Sequence, residues 1–161
     1  MQNSTKSRTY AMLALLFVAL SLPGVGAASA APSNLSPEQT RVVTTASGTT
    51  TYYAAAAGCT QSITAGNPRK NSAGNVSATI TFSNGSSCAT SNPNYGLQAT
   101  NFVGSWTGVT SGFGKVLPGA QASFVIQYKC NGSGSQKWRS TGSWDPYGAT
   151  TSPSVTLACG R

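Results

Sequence analysis

Residues that could carry out catalysis are scarce in this chain. It contains no histidine, and Glu38 and Asp145 are its only acidic residues. Proton transfer near neutral pH is usually performed by histidine or by tuned carboxylates. A hydrolytic carboxylate pair would have to combine Glu38 with Asp145, and Glu38 lies close to the expected mature N-terminus. The composition therefore predicts a protein that binds its partner without transforming it, and we assign no catalytic residue.

Metal and cofactor chemistry is disfavoured for the same reason. Calcium and magnesium sites need several oxygen ligands, usually including carboxylates. Zinc sites draw on histidine or closely spaced cysteines, and the four cysteines form no C-x-x-C pair. A serine nucleophile activated by Lys115 or Lys129 is a minor alternative, but no G-x-S-x-G or S-x-x-K motif is present. We expect no metal and no cofactor.

The segment 128–147 holds the richest set of candidate binding residues, namely Trp138, Arg139, Trp144, Asp145 and Tyr147. Trp138 and Trp144 are six residues apart, so they share one face of a strand, where both could fill a core. Alternatively, the aromatic rings form an exposed platform that stacks on sugar rings, with Arg139 and Asp145 binding hydroxyl or anionic groups. Asp145 and Pro146 also suit the first two positions of a turn. Both interpretations of the tryptophans stay open at this point.

A second candidate surface is the loop 66–71, which carries Arg69 and Lys70. A basic loop that is held by a nearby disulfide could present itself to a trypsin-like protease. Solvated basic loops are common, so an ordinary surface loop is the alternative. We predict Arg69 and Lys70 as a partner-binding loop.

Residues 1–30 have the features of a signal peptide. Lys6 and Arg8 precede the apolar run 11–22, and Ala28-Ser29-Ala30 fits the A-x-A cleavage rule. The apolar run is too short for a typical membrane span. We therefore predict a secreted protein with a mobile arm at 31–40 and a single domain at 41–161.

The mature chain is basic. Without Lys6 and Arg8, eight of the ten basic residues remain against two acidic residues, a net charge of +6. These cations are dispersed along the chain, so they form no nucleic-acid-binding arm. An ordinary solvated basic surface explains this distribution, and attraction to an acidic partner or an anionic cell-wall polymer is the functional alternative.

Cysteine usage agrees with export. Cys59, Cys88, Cys130 and Cys159 are an even number, which predicts two disulfides in an exported chain. Three connectivities are possible. We favour Cys59–Cys88 and Cys130–Cys159, because each pair spans the same interval and the last two cysteines fall on the apolar faces of predicted strands.

The mature chain reads as a run of short strands separated by Ser, Thr, Gly and Asn. The clearest strands are 75–83, 122–130, 136–144 and 154–159, and weaker ones are expected at 41–45, 49–54, 97–103 and 106–109, with 113–116 uncertain. Pro118-Gly119 fits a type II turn, and 131–134 reads as a hairpin loop. This pattern predicts an all-β protein, an antiparallel β-sandwich of immunoglobulin-like architecture with two disulfides. A small β-barrel is the second choice.

These features together favour a secreted, non-catalytic binding module or subunit that engages another extracellular protein through its edge strands. The segment 41–54 could donate a strand to that partner or form the first hairpin of its own sheet. The alternatives are a cell-wall or carbohydrate-binding module that uses the Trp/Tyr platform, and a protease inhibitor or antimicrobial protein. We expect no nucleic-acid partner, because the cations are dispersed. We also expect no stable membrane insertion, because no amphipathic basic helix is evident.

Overall fold

Eleven strands and no α-helix make up the described part of the chain, residues 38–54, 58–144 and 148–160 of a computed structural model. The strands are β1 (Glu38–Thr45), β2 (Gly48–Ala54), β3 (Thr60–Gly66), β4 (Arg69–Lys70), β5 (Val76–Asn84), β6 (Pro93–Thr100), β7 (Trp106–Phe113), β8 (Gln121–Tyr128), β9 (Gly132–Trp144), β10 (Gly148–Thr151) and β11 (Val155–Gly160). No helix in this part is long and apolar enough to cross a membrane. The predicted signal peptide, Asp145 and Tyr147 lie outside the described residues.

The first sheet contains six antiparallel strands, β1, β2, β3, β4, β5 and β8. Strands β3 and β4 follow one another along the same side of β5, and β8 pairs along its other side. Among the described strands, β1 pairs with β2 alone, while β8 and β4 each pair with β5 alone, so all three present an edge of the sheet.

The second sheet contains five antiparallel strands and packs against the first. Strand β6 lies between β7 and β9, while β10 and β11 follow one another along the far side of β9. The predicted antiparallel β-sandwich is therefore confirmed. The hairpin predicted at 131–134 is wrong, because β8 belongs to the first sheet and β9 to the second. Gly132 already lies within β9 and pairs with Gly160 of β11.

The core lies between the inner faces of the two sheets. Strand β5 shows the period of two that its sequence predicts, with Val76, Ala78, Ile80 and Phe82 all buried. Trp138 and Trp144 on β9 face this strand from the second sheet, and the Trp144 ring meets Phe82 edge-on at 5.0 Å between centroids. Aromatic pairs in this geometry add to the burial of apolar surface.

Both favoured disulfides are present. Cys130–Cys159 joins the end of β8 to β11, and Cys159 is fully buried in the core. Cys59–Cys88 joins the residue before β3 to the turn after β5. Each closes the same separation of 29 residues.

Several boundaries differ from those predicted. The segment 41–54 does form a hairpin of its own sheet, but β1 begins at Glu38, inside the expected arm. The uncertain strand at 113–116 is absent, since Phe113 ends β7 and Val116 only bridges to Ser91. Strands β3, β4 and β10 match none of the predicted strands, because β4 and β10 are short and β3 carries a single large apolar residue. At 118–119, Gly119 has the predicted positive φ of 70°, and Ala120 N–H donates to the Leu117 carbonyl.

Candidate binding surfaces

The two tryptophans of the predicted platform are core residues. Trp138 is 0% and Trp144 is 1% exposed, so neither ring can stack on a sugar at the surface. Neither indole N–H has a hydrogen-bond partner among the described residues. The two rings therefore contribute to the core by packing alone. Their assignment as ligand-binding residues is thus corrected, and the core interpretation is confirmed. Asp145 and Tyr147, the other platform residues, lie outside the described residues.

Arg139 lies on the opposite, outer face of β9, as the alternation predicts. Its register partner on β6 is Gln98, and Arg139 Nε donates a hydrogen bond of 2.7 Å to Gln98 Oε1. The guanidinium also lies over the ring of Trp106, 4.2 Å from its centroid. Trp106 begins β7, one strand beyond β6. Three strands therefore hold this cation between an amide and an aromatic face, a distance at which cation–π attraction is significant.

A shallow groove of about 180 Å³ runs over the same outer face between β6, β7 and β9. Its lining includes the amide side chains of Asn94 and Gln98 and the hydroxyl groups of Ser111, Thr141 and Ser143. Gly96 and Gly108 also line it, and the β6–β7 register shifts between Leu97 and Gln98. A Cβ added at Gly108 would have no neighbour within 4 Å, so this position opens onto free space. Gln98 belongs both to the groove and to the Arg139 contact.

The β8 edge presents a different surface. Val125 on its outer face is 61% exposed, while Phe113 at the end of β7 and Leu117 in the β7–β8 connection are 83% and 55% exposed. On the inner face, Phe124 is only partly buried, whereas its register partner Ile80 is fully buried. Neither β7 nor β8 contains a charged residue or a proline, the usual devices that protect an exposed edge.

Arg69 and Lys70 do not form the predicted loop. They form β4, whose register partners are Ser77 and Val76 of β5. Both side chains are exposed, and Lys70 Nζ donates a hydrogen bond of 2.8 Å to the Ala158 carbonyl. The backbone is thus committed to a sheet, which does not match a protruding loop that a protease could engage. Lys70 also lines a cavity of about 530 Å³ together with Lys129.

The surface around Arg139 could not be found from local sequence. Trp106 and Gln98 lie far from Arg139 in the chain, and only the pairing of β6 with β7 and β9 brings them together. The alternation of apolar and polar residues around Trp138 did predict that Arg139 lies on a solvent-exposed face. Among the described residues, no group of three or more His, Cys, Asp or Glu side chains could hold a metal ion.

The chain matches no protein-family model, no curated protein and no solved structure at a significant level. Its function is therefore inferred from its own residues and their geometry.

Proposed function

We propose that this protein is a secreted, non-catalytic binding module that captures another extracellular protein along the β8 edge. The observation that carries the proposal is an unprotected edge strand whose apolar side chains are incompletely covered. Strand β8 pairs with β5 alone among the described strands.

The backbone of β8 supports strand addition. An edge strand has unpaired N–H and C=O groups along its free side, and an extended peptide can bind them as the next strand of the sheet. No proline or charge within β8 opposes such pairing.

The side chains of β8 support the same mode. Phe124 on the inner face and Val125 on the outer face would both lie beside an added strand. The added strand would bury Phe124 more fully, as its register partner Ile80 on the neighbouring strand β5 is already buried. An added strand places alternate side chains on both faces, so it can contact both apolar positions.

Export and the lack of catalysis are supported by composition. The residues 1–30 have the pattern of a signal peptide, and two disulfides are compatible with an oxidising compartment. The absence of histidine and the presence of only two acidic residues disfavour acid–base catalysis. Arg69 and Lys70 lie in a paired strand, so a protease-inhibitor function has no specific support.

The test compares Val125→Lys with Val42→Lys. Val42 is 48% exposed on β1, the opposite edge of the same sheet, so it offers the same substitution at a matched position. The purified protein is immobilised and exposed to culture fluid of its native host. Captured proteins are identified by mass spectrometry, purified, and measured for affinity by calorimetry.

We expect a stoichiometric protein partner whose affinity falls at least about ten-fold with Val125→Lys, because an edge lysine opposes strand addition. Val42→Lys should leave the affinity unchanged. Loss of binding with Val42→Lys alone would assign the partner to β1 and overturn the β8 proposal. Capture of no protein would overturn it as well.

A further inference from the structure

We propose a second binding site on the outer face of the other sheet, for a carboxylate-bearing sugar. In this site Arg139 binds the carboxylate, and the groove beside Gln98 receives the sugar ring. The site is built from β6, β7 and β9, whereas the proposed protein-binding edge is β8. The two proposals therefore stand or fall separately.

Arg139 is held in place by neutral groups. Its Nε donates to Gln98, and its guanidinium stacks over Trp106. These contacts restrain a long side chain through an amide oxygen and an aromatic ring, neither of which carries a charge. Among the side chains that the structure describes, none is a carboxylate that could pair with it.

The donors left on Arg139 suit a carboxylate. With Nε bonded to Gln98, the guanidinium still has the N–H groups of its two Nη atoms. A planar guanidinium binds a planar carboxylate through two parallel hydrogen bonds. Because Arg139 is already ordered, less conformational entropy is lost when it binds.

The groove suits one sugar ring. Its amide and hydroxyl side chains can both donate to and accept from the hydroxyl groups of a sugar. Its volume of about 180 Å³ is below the range of roughly 300–1,000 Å³ that is usual for larger ligands. The groove is open along the sheet, so a longer saccharide can extend beyond it. Lys137, on the outer face of β9, adds a second exposed positive charge near the Trp106 end.

The test is a titration followed by nuclear magnetic resonance, with the purified protein and three carboxylate-bearing saccharides: oligogalacturonate, a hyaluronan oligosaccharide and an oligomer of sialic acid. The methyl ester of each saccharide has the same sugar backbone without the charge. We expect at least one acidic saccharide to shift the resonances of Gln98, Gly108 and the Arg139 Nε–H group. Its affinity should exceed that of the matching ester at least about ten-fold.

Two variants and a matched control locate the site. Arg139→Gln should weaken binding at least about ten-fold, while Arg69→Gln removes the same charge from the other sheet and should leave the affinity unchanged. Gly108→Val should abolish binding with the fold retained, because its side chain would enter the groove from a position without steric neighbours.

Three results would overturn the proposal. One is the absence of binding by all three acidic saccharides at millimolar concentration. Another is equal weakening by Arg139→Gln and Arg69→Gln, which would indicate attraction to overall charge. The third is binding that survives Gly108→Val, which would place the ligand outside the groove.

Discussion

Gly142 allows the two sheets to approach each other, and the same substitution at two glycines tests this. Gly142 is buried on the inner face of β9. A Cβ at this position would lie 2.7 Å from Ile63 Cγ2 and 2.8 Å from Ile80 Cγ2. Favourable carbon contacts lie at about 3.5–4.0 Å, so each methyl group would have to retreat by roughly 0.7–1.3 Å.

The clash at Gly142 is costly because its neighbours cannot move aside cheaply. Ile63 and Ile80 are both fully buried, and they lie on adjacent strands of the facing sheet. Their Cγ2 methyl groups sit on stiff β-branched side chains. Overpacking of a dense core costs about 1–3 kcal/mol, and the rigidity here favours the upper half of that range. We therefore expect Gly142→Ala to lower the free energy of unfolding by about 2–3 kcal/mol.

Gly108→Ala is the matched control. An added Cβ there has no neighbour within 4 Å. Replacing glycine in a compatible conformation stabilises a protein by about 0.4–1 kcal/mol, because the unfolded chain loses freedom. The same change should therefore have opposite signs at the two positions.

Urea unfolding with both disulfides intact measures the change in stability caused by each variant. With an m-value of about 1–2 kcal/mol/M, Gly142→Ala should lower the midpoint by roughly 1–3 M and Gly108→Ala should raise it slightly. A Gly142→Ala midpoint within about 0.3 M of the wild type would refute the packing argument. Equal destabilisation by both variants would do the same.

Two further predictions concern buried covalent and polar links. Replacing Cys130 and Cys159 by Ala should lower the free energy of unfolding more than replacing Cys59 and Cys88 by Ala. For each disulfide the chain-entropy model gives about 3–4 kcal/mol, but only the first change also removes a fully buried sulfur. The reverse order in urea unfolding would contradict this. Asn84→Ala should lower stability by about 2–3 kcal/mol in thermal unfolding. The buried Asn84 side chain accepts a hydrogen bond from Gln61 and donates to the Ala89 and Val116 carbonyls, and alanine would lose all three. An unchanged melting temperature would contradict this prediction.

Local sequence was sufficient for the strands that alternate large apolar and polar residues. The period of two in β5 predicted both the strand and its buried face, and Cys130 and Cys159 on apolar faces predicted their disulfide. Local sequence was insufficient to predict β3, where Ile63 is the only large apolar residue among Thr, Gln, Ser, Ala and Gly. Such a segment becomes a strand because β2 and β5 pair with it from both sides.

The connection from β8 to β9 shows a second limit. Its Asn and Gly residues are typical of a hairpin loop, and turn composition alone cannot say whether the flanking strands pair. Gly132 instead pairs with Gly160 at the end of β11, and an added Cβ on Gly160 would lie 3.0 Å from the Gly132 Cα. Close backbone approach, rather than a reversal of the chain, accounts for glycine here.

Arg139 was a predicted binding residue, but its neighbours in the candidate site were missed for a related reason. Trp138 and Arg139 are neighbours in sequence, but a strand places adjacent side chains on opposite faces. The alternation therefore places Trp138 in the core and Arg139 at the surface, so the buried Trp138 and Trp144 cannot form one surface with Arg139. The aromatic ring that meets Arg139 is Trp106, which reaches it only because β6 lies between β7 and β9. Alternation can predict which residues are exposed, but only the pairing of distant strands determines which of them share a site.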